Sequence, residues 1–136
     1  MLEIFDGFID AVSSEFHIPF KKENDGEYSA MVEFEGGRHQ RVLISFGRDD
    51  QGDPMISYYS VICKLDEPSP DLFREALLLN TNLTYGAIAL MDDNSLIMHQ
   101  ATFLKDLEPQ RFIKSFLYVA AKADELEEQL TGEDIS

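Results

Sequence analysis

The sequence predicts a single α+β domain built on a mainly antiparallel five-stranded sheet, with elements in the order α-βββ-α-ββ-α. Three observations carry that prediction. From Tyr28 the chain alternates strictly, with Tyr28, Ala30, Val32 and Phe34 on one side and Ser29, Met31, Glu33 and Glu35 on the other, the period of a half-buried strand. Near both ends of the chain the apolar residues recur instead at three- and four-residue steps, the period of an amphipathic helix. The links between strands are short and rich in glycine and aspartate, which joins neighbours as hairpins. At 136 residues the chain can bury one sound core, and no repeat, low-complexity tract or linker divides it, so the domain is expected to span residues 1–136.

Taken in order, Leu2, Phe5, Ile9, Val12 and Phe16 form the stripe of a first helix, widened by Ile4 and Phe8. Pro19 ends it, because the residue before a proline avoids helical geometry. Lys21 to Gly26 reads as a polar turn into the sheet. Gly36-Gly37 supplies the positive-φ residues of a hairpin, and Val42, Ile44 and Phe46 repeat the alternation on the returning strand. Asp49 to Pro54 turns the chain into a third strand, Met55 to Leu65. Ser69-Pro70-Asp71 opens a second helix with a capping hydroxyl, a proline suited to the first turn and an acid at the positive end of the dipole. That helix, Leu72 to Asn80, is apolar nearly all round, so it needs cover on two sides, and a second subunit is the economical source. Two strands, from Tyr85 and from Leu96, flank the turn Asp92-Asp93-Asn94. The closing helix carries Phe112, Phe116, Val119, Ala120, Ala123, Leu126 and Leu130 on one stripe, with Lys114, Lys122, Glu125 and Glu128 mostly elsewhere. Asp124, Glu125, Glu127, Glu128, Glu133 and Asp134 follow with no base among them, so the acidic end, from about residue 131, is expected to fray in water.

The second face of the sheet is unusually apolar. Met31, Leu43, Met55, Tyr59, Val61 and Cys63 share the parity that should meet water. That much apolar surface suits a dimer interface, a ligand groove or a site for an extended peptide, unless a helix covers this face as well.

Charge and composition exclude several functions. Lys plus Arg number 11 against 26 Asp plus Glu, a net charge of −15 that repels nucleic-acid phosphates and anionic membrane surfaces. The same charge fits a basic partner or simple solubility. No apolar run has the length of a membrane span, and the N-terminus carries acids where a signal peptide carries bases, so a cytoplasmic protein is expected. The lone Cys63 forms no disulfide within the chain and sits in an apolar run without a cationic neighbour, which makes it a small hydrophobe rather than a reactive thiol. His17, His39 and His99 fall in different elements without metal-ligand spacing. Asp49, Asp50 and Asp53 lack the alternation and closing glutamate of a calcium loop. No glycine-rich phosphate cradle or nucleophile elbow is present. The expectation is a binding protein with no catalytic residues, no metal and no cofactor.

The stretch Ser69 to Leu130 runs through Asn80-Thr-Asn-Leu, Tyr85-Gly-Ala-Ile-Ala-Leu-Met, the tight turn, the second strand, Leu104-Lys-Asp-Leu-Glu-Pro109 and the long helix. In that order, in size and in acidity it resembles the dimeric type III secretion chaperones (the CesT/Tir-chaperone class) and the related YbjN-like proteins. The resemblance implies a homodimer built around the central helix and adjacent strand, with Leu72, Phe73, Ala76, Leu77, Ile88 and Leu90 as subunit contacts. It also implies that apolar patches hold an extended segment of a partner protein without ATP, with Phe5, Phe8, Met31 and Leu43 at the matching positions. A YbjN-like regulatory or interaction dimer with no secretion role is the alternative, and a small-ligand or enzymatic domain is a third.

Overall fold

The alternating and helical stretches fold, in a computed structural model that describes residues 1–132, into one antiparallel sheet and three helices. The elements are α1 (Leu2–Phe16), β1 (Lys21–Asn24), β2 (Glu27–Glu33), β3 (His39–Arg48), β4 (Pro54–Lys64), α2 (Pro70–Leu79), β5 (Ala87–Leu90), β6 (Ser95–Phe103) and α3 (Pro109–Thr131). The strands lie in the order β1-β2-β3-β4-β6-β5. The sheet therefore has six strands, not five. Lys21–Asn24, expected as a turn, pairs with β2 through Lys21↔Ser29 and Lys22↔Tyr28, and Gly26 (φ 78°) reverses the chain. An edge strand with neither face in the core carries no hydrophobic alternation, so four polar residues conceal it.

Each helix begins and ends for a local reason. α1 stops at His17, held in the left-handed region, while the Ser13 hydroxyl donates to the Ile18 carbonyl. α2 is capped by Ser69, whose hydroxyl accepts from the Leu72 amide, with Pro70 in the first turn. α3 starts at Pro109 and closes at Gly132 (φ 75°), whose amide reaches back to the Glu128 carbonyl. It runs through Thr131, and residues 133–136 of the acidic end expected to fray lie outside the described residues.

All three helices lie on one face of the sheet. The inward row Tyr28↔Ile44↔Tyr58 is buried beneath Phe5 of α1 and Phe112 and Phe116 of α3. The Phe8 ring meets Phe112 edge-on at 5.4 Å. α2 packs against α3 and against β5, whose inward Ile88 is buried opposite Met98. Each such side chain removed from water contributes about 1.5–3 kcal/mol, and the connected core lies on this side, although Ile97 of the outer row is buried too. No described helix covers the other face.

One member of the expected outward row is not there. A β-bulge between Val61 and Cys63 inserts Ile62, and Cys63 then pairs with Leu96, whose parity is that of buried Met98. The bulge turns Cys63 inward, towards Glu127 of α3.

Candidate functional site

The uncovered face is a grid of cross-strand rows. Ser29, Leu43, Tyr59, His99 and Ala87 form one row across β2, β3, β4, β6 and β5. Above it lies Val61–Ile97–Ala89, and below it Glu27–Ser45–Ser57–Ala101, then Gly47–Met55–Phe103. Met31 stands beside Arg41 at the β2 end. Leu43, Met55, Tyr59 and Val61 are half-buried by their neighbours, while Met31 is 46 % and Phe103 53 % exposed. Several polar groups of this face satisfy one another: the Ser45 and Ser57 hydroxyls bond at 3.0 Å, and Glu23 accepts from Ser29 and Arg41. Exposed Glu27 and half-buried His99 share the face, and between them Met31, Leu43, Tyr59, Val61 and Phe103 offer a partner apolar surface.

Two of the four residues implied as partner contacts are on this face. Met31 and Leu43 line the same depression of about 420 Å³, with Val61 and Ile62 beside them. Phe5 and Phe8 lie across the sheet. Phe5 is fully buried against Tyr28 and Phe46, and Phe8 is half-buried on Phe112, so the four do not form one surface.

The depression exists because β3 and β4 part company. Their ladder runs from Arg48↔Pro54 to Leu43↔Tyr59 and stops. Beyond it, side chains bridge the gap: Gln40 Nε2 donates to the Val61 carbonyl at 2.5 Å, and Ser60 Oγ donates to the Arg41 carbonyl at 2.6 Å. Gln40 is buried, and its Oε1 has no hydrogen-bond partner among the described residues. Glu127, fully buried, closes the far side. Next to it, Asp124 is 4 % exposed and takes Arg38 of the β2–β3 hairpin at 3.0 Å, while Glu128 takes the same guanidinium at 3.4 Å. Burial, with the Glu127 carboxylate second, pushes the Cys63 thiol up, so it stays protonated and unreactive.

The sheet edges are guarded. On β5, the Ile88 amide donates to Asn80 Oδ1 at 2.6 Å and Asn80 Nδ2 donates to the Ile88 carbonyl at 3.3 Å, so one side-chain amide stands in for a neighbouring strand. At the other edge, β1 presents Lys21 and Lys22. A partner approaching either edge finds its hydrogen-bond positions occupied or flanked by charge.

The residues implied as subunit contacts divide. Ala76 and Ile88 belong to the chain's own core, and Leu72 and Phe73 are half-buried against it. Leu77 (66 %) and Leu90 (50 %) are exposed, as is Leu78. The three histidines remain apart, and no cluster of metal-binding groups occurs among the described residues. Burial on β6 pushes the His99 imidazole below its ordinary value. Asp49 caps its own loop by accepting from the Gln51 and Asp53 amides, and Asp93 accepts from Ser95.

Sequence reasoning passed over Asn80, Gln40, Asp124 and Glu127. For the two acids a signal existed: they continue the spacing Phe116, Ala120, Asp124, Glu127 along the buried side of α3. No described helix is long and apolar enough to cross a membrane. No family model matches the chain, and no curated protein matches it.

Proposed function

We propose that this protein is a non-catalytic, ATP-independent binding protein of the cytoplasm that holds an extended segment of a partner protein on apolar surface, as the secretion chaperones it resembles do. The observation that carries this reading is the uncovered sheet face, where Ser29, Ser45 and Ser57 are hydrogen-bonded within the chain while Met31, Leu43, Tyr59, Val61 and Phe103 keep apolar surface in reach of a partner. Met31 and Phe103 are each about half exposed, so covering both recovers roughly 1.5–3 kcal/mol between them, enough for reversible holding once the half-buried residues add to it. The test is titration of the chain, without nucleotide, with a permanently unfolded reduced and carboxymethylated protein, followed by amide chemical shifts. Shifts on the outward rows that vanish in Met31→Lys/Leu43→Lys support the reading, and absence of binding refutes it.

The exposed leucines of α2 favour a second reading, a YbjN-like regulatory or interaction homodimer. Because Leu77 makes little contact within the chain, Leu77→Asp should keep the fold. A sedimentation coefficient that falls from dimer to monomer supports an α2 interface, and an unchanged dimer removes it.

A further inference from the structure

The third run of unused sheet is neither the face nor a guarded edge. β6 extends to Phe103, but β5 pairs with it only as far as Ala87↔His99. Since Ile88 turns its amide and carbonyl away from β6 towards Asn80, Ile88↔Met98 is a non-hydrogen-bonded pair, and Met98, Gln100 and Thr102 direct their backbone groups at β4. The Leu104 amide bonding to the Pro54 carbonyl continues that alternation. Ala101 and Phe103 must then present their amides and carbonyls on the side where β5 is missing. Among the described residues, only a 3.3 Å contact from the Ala101 amide to the Oε1 of its neighbour Gln100 occupies this half-edge.

The chain vacates the slot by turning at Gly86 (φ 68°), where a Cβ would lie 2.5 Å from the His99 carbonyl oxygen. The preceding residues lean towards α3: the Thr84 amide donates to the Tyr118 hydroxyl, and Tyr85 stacks edge-on with Tyr118 at 5.3 Å. A cleft of about 520 Å³ opens alongside, bounded by Tyr85, Thr102, Phe103 and the α3 face carrying Arg111, Lys114 and Ser115. Lys105, Arg111 and Lys114 all line it, are exposed, and form no ion pair among the described residues, whereas Asp106 is its one acid. In a chain of net charge −15 this is a local reversal of sign.

We propose that an acidic extended segment of a partner protein docks here as a short strand on the free half-edge of β6, backbone against Ala101 and Phe103. The inference rests on the binding reading above in taking an extended segment as the occupant, but it assigns a second site, which meets the open face only at Phe103, and a chemistry. The register sets the side-chain code. Residues beside Gln100 and Thr102 share their face and lie over Lys105, Arg111 and Lys114, so they are acidic. Residues beside Phe103 lie on the outer face and are apolar. The three cations line the cleft from the β6–α3 link and from α3, where a strand lying along it can reach all of them.

The test uses the full chain with a short synthetic peptide alternating valine and glutamate, its valine–glutamine counterpart, and inorganic phosphate. The glutamate peptide is expected to shift and protect the Ala101 and Phe103 amides, with the glutamine peptide at least tenfold weaker. Arg111→Glu/Lys114→Glu, both at exposed positions, should abolish binding with the fold retained by circular dichroism, and the single variant Lys105→Glu should weaken it. Met31→Lys/Leu43→Lys should leave it unchanged, which separates this site from the outer face. Equal binding of both peptides, binding that survives charge reversal, or phosphate displacing the peptide while leaving the Ala101 and Phe103 amides unmoved would each overturn the proposal.

Discussion

Asn80→Ala should loosen one edge of the sheet and, with it, the barrier to self-association. The Asn80 amide makes two hydrogen bonds to Ile88, at 2.6 Å and 3.3 Å, and Ile88 is nearly buried. Each such bond contributes about 1 kcal/mol net, and the donor left behind on a buried backbone costs more than the bond itself was worth. The expected loss is therefore about 2 kcal/mol, and for a domain of this size each kcal/mol moves the thermal midpoint by roughly 3–4 °C. Asn80→Asp provides the control. Its carboxylate still accepts from the Ile88 amide, but it sets a second acceptor against the Ile88 carbonyl, so it should fall between wild type and Asn80→Ala or below both. Urea unfolding reads the stability. Sedimentation velocity reads the second consequence: freed of its surrogate neighbour, β5 should pair with β5 of another copy and add a concentration-dependent dimer. If Asn80→Ala unfolds at the wild-type midpoint and sediments as wild type, Asn80 guards nothing and the assignment of β6 as the free edge loses its support.

Three further outcomes follow from named contacts. Cys63 should react with a thiol reagent in native buffer on the order of a hundredfold more slowly than an exposed cysteine, and labelling at the exposed rate would contradict its inward turn at the bulge. Arg38→Met should cost about 2–3 kcal/mol by stranding the buried Asp124 carboxylate, and Asp124→Asn in that background should restore part of it; additive losses in urea would show that the two groups do not interact. For His99, burial lowers the folded-state pKa below 6.5, so just below that pH the unfolded chain binds the proton more readily and stability falls as pH drops through the window between the two values. His99→Gln should remove that component of the pH slope, and an unchanged slope would mean that His99 is as well solvated folded as unfolded.

The elements that could be read from the sequence are those whose two sides meet different environments. The alternation of Tyr28 to Phe34 and the stripe Phe112 to Leu130 contrast core with water, and both appear as β2 and α3. Lys21–Asn24 has no such contrast because both its faces and one edge are wet, so only the tertiary neighbour makes it a strand. The inward turn of Cys63 depends on a bulge at Val61–Cys63 that no glycine marks, and one inserted residue exchanges the faces of everything beyond it. Met31 and Leu43 could be placed on the open face from parity alone. The separation of Phe5 and Phe8 from them could not, because a helix stripe and a strand row do not declare which side of the sheet they share.

The distribution of charge bears on which of these surfaces a second copy could use. Each copy carries a net charge of −15 spread over its whole surface, so two copies meeting face to face would set only the acids near the shared face, such as Glu27 and Glu33, against each other. At physiological ionic strength screening sets in over roughly 8 Å, so that repulsion is felt across an interface and hardly beyond it. A neutral or mixed extended segment would feel little of it, and an acidic one reaching Lys105, Arg111 and Lys114 would exchange it for contact with cations that form no ion pair among the described residues. An extended segment that carries fewer charges than this chain would therefore meet less repulsion at the open face than a second copy would. The leucines of α2 are exposed on the helical side, as are Ile4 of α1 and Leu117 of α3, and beside them Arg74 offsets Asp71 and Glu75. Any homodimer should be sought there, and its formation would leave both the open face and the β6 half-edge free for a partner.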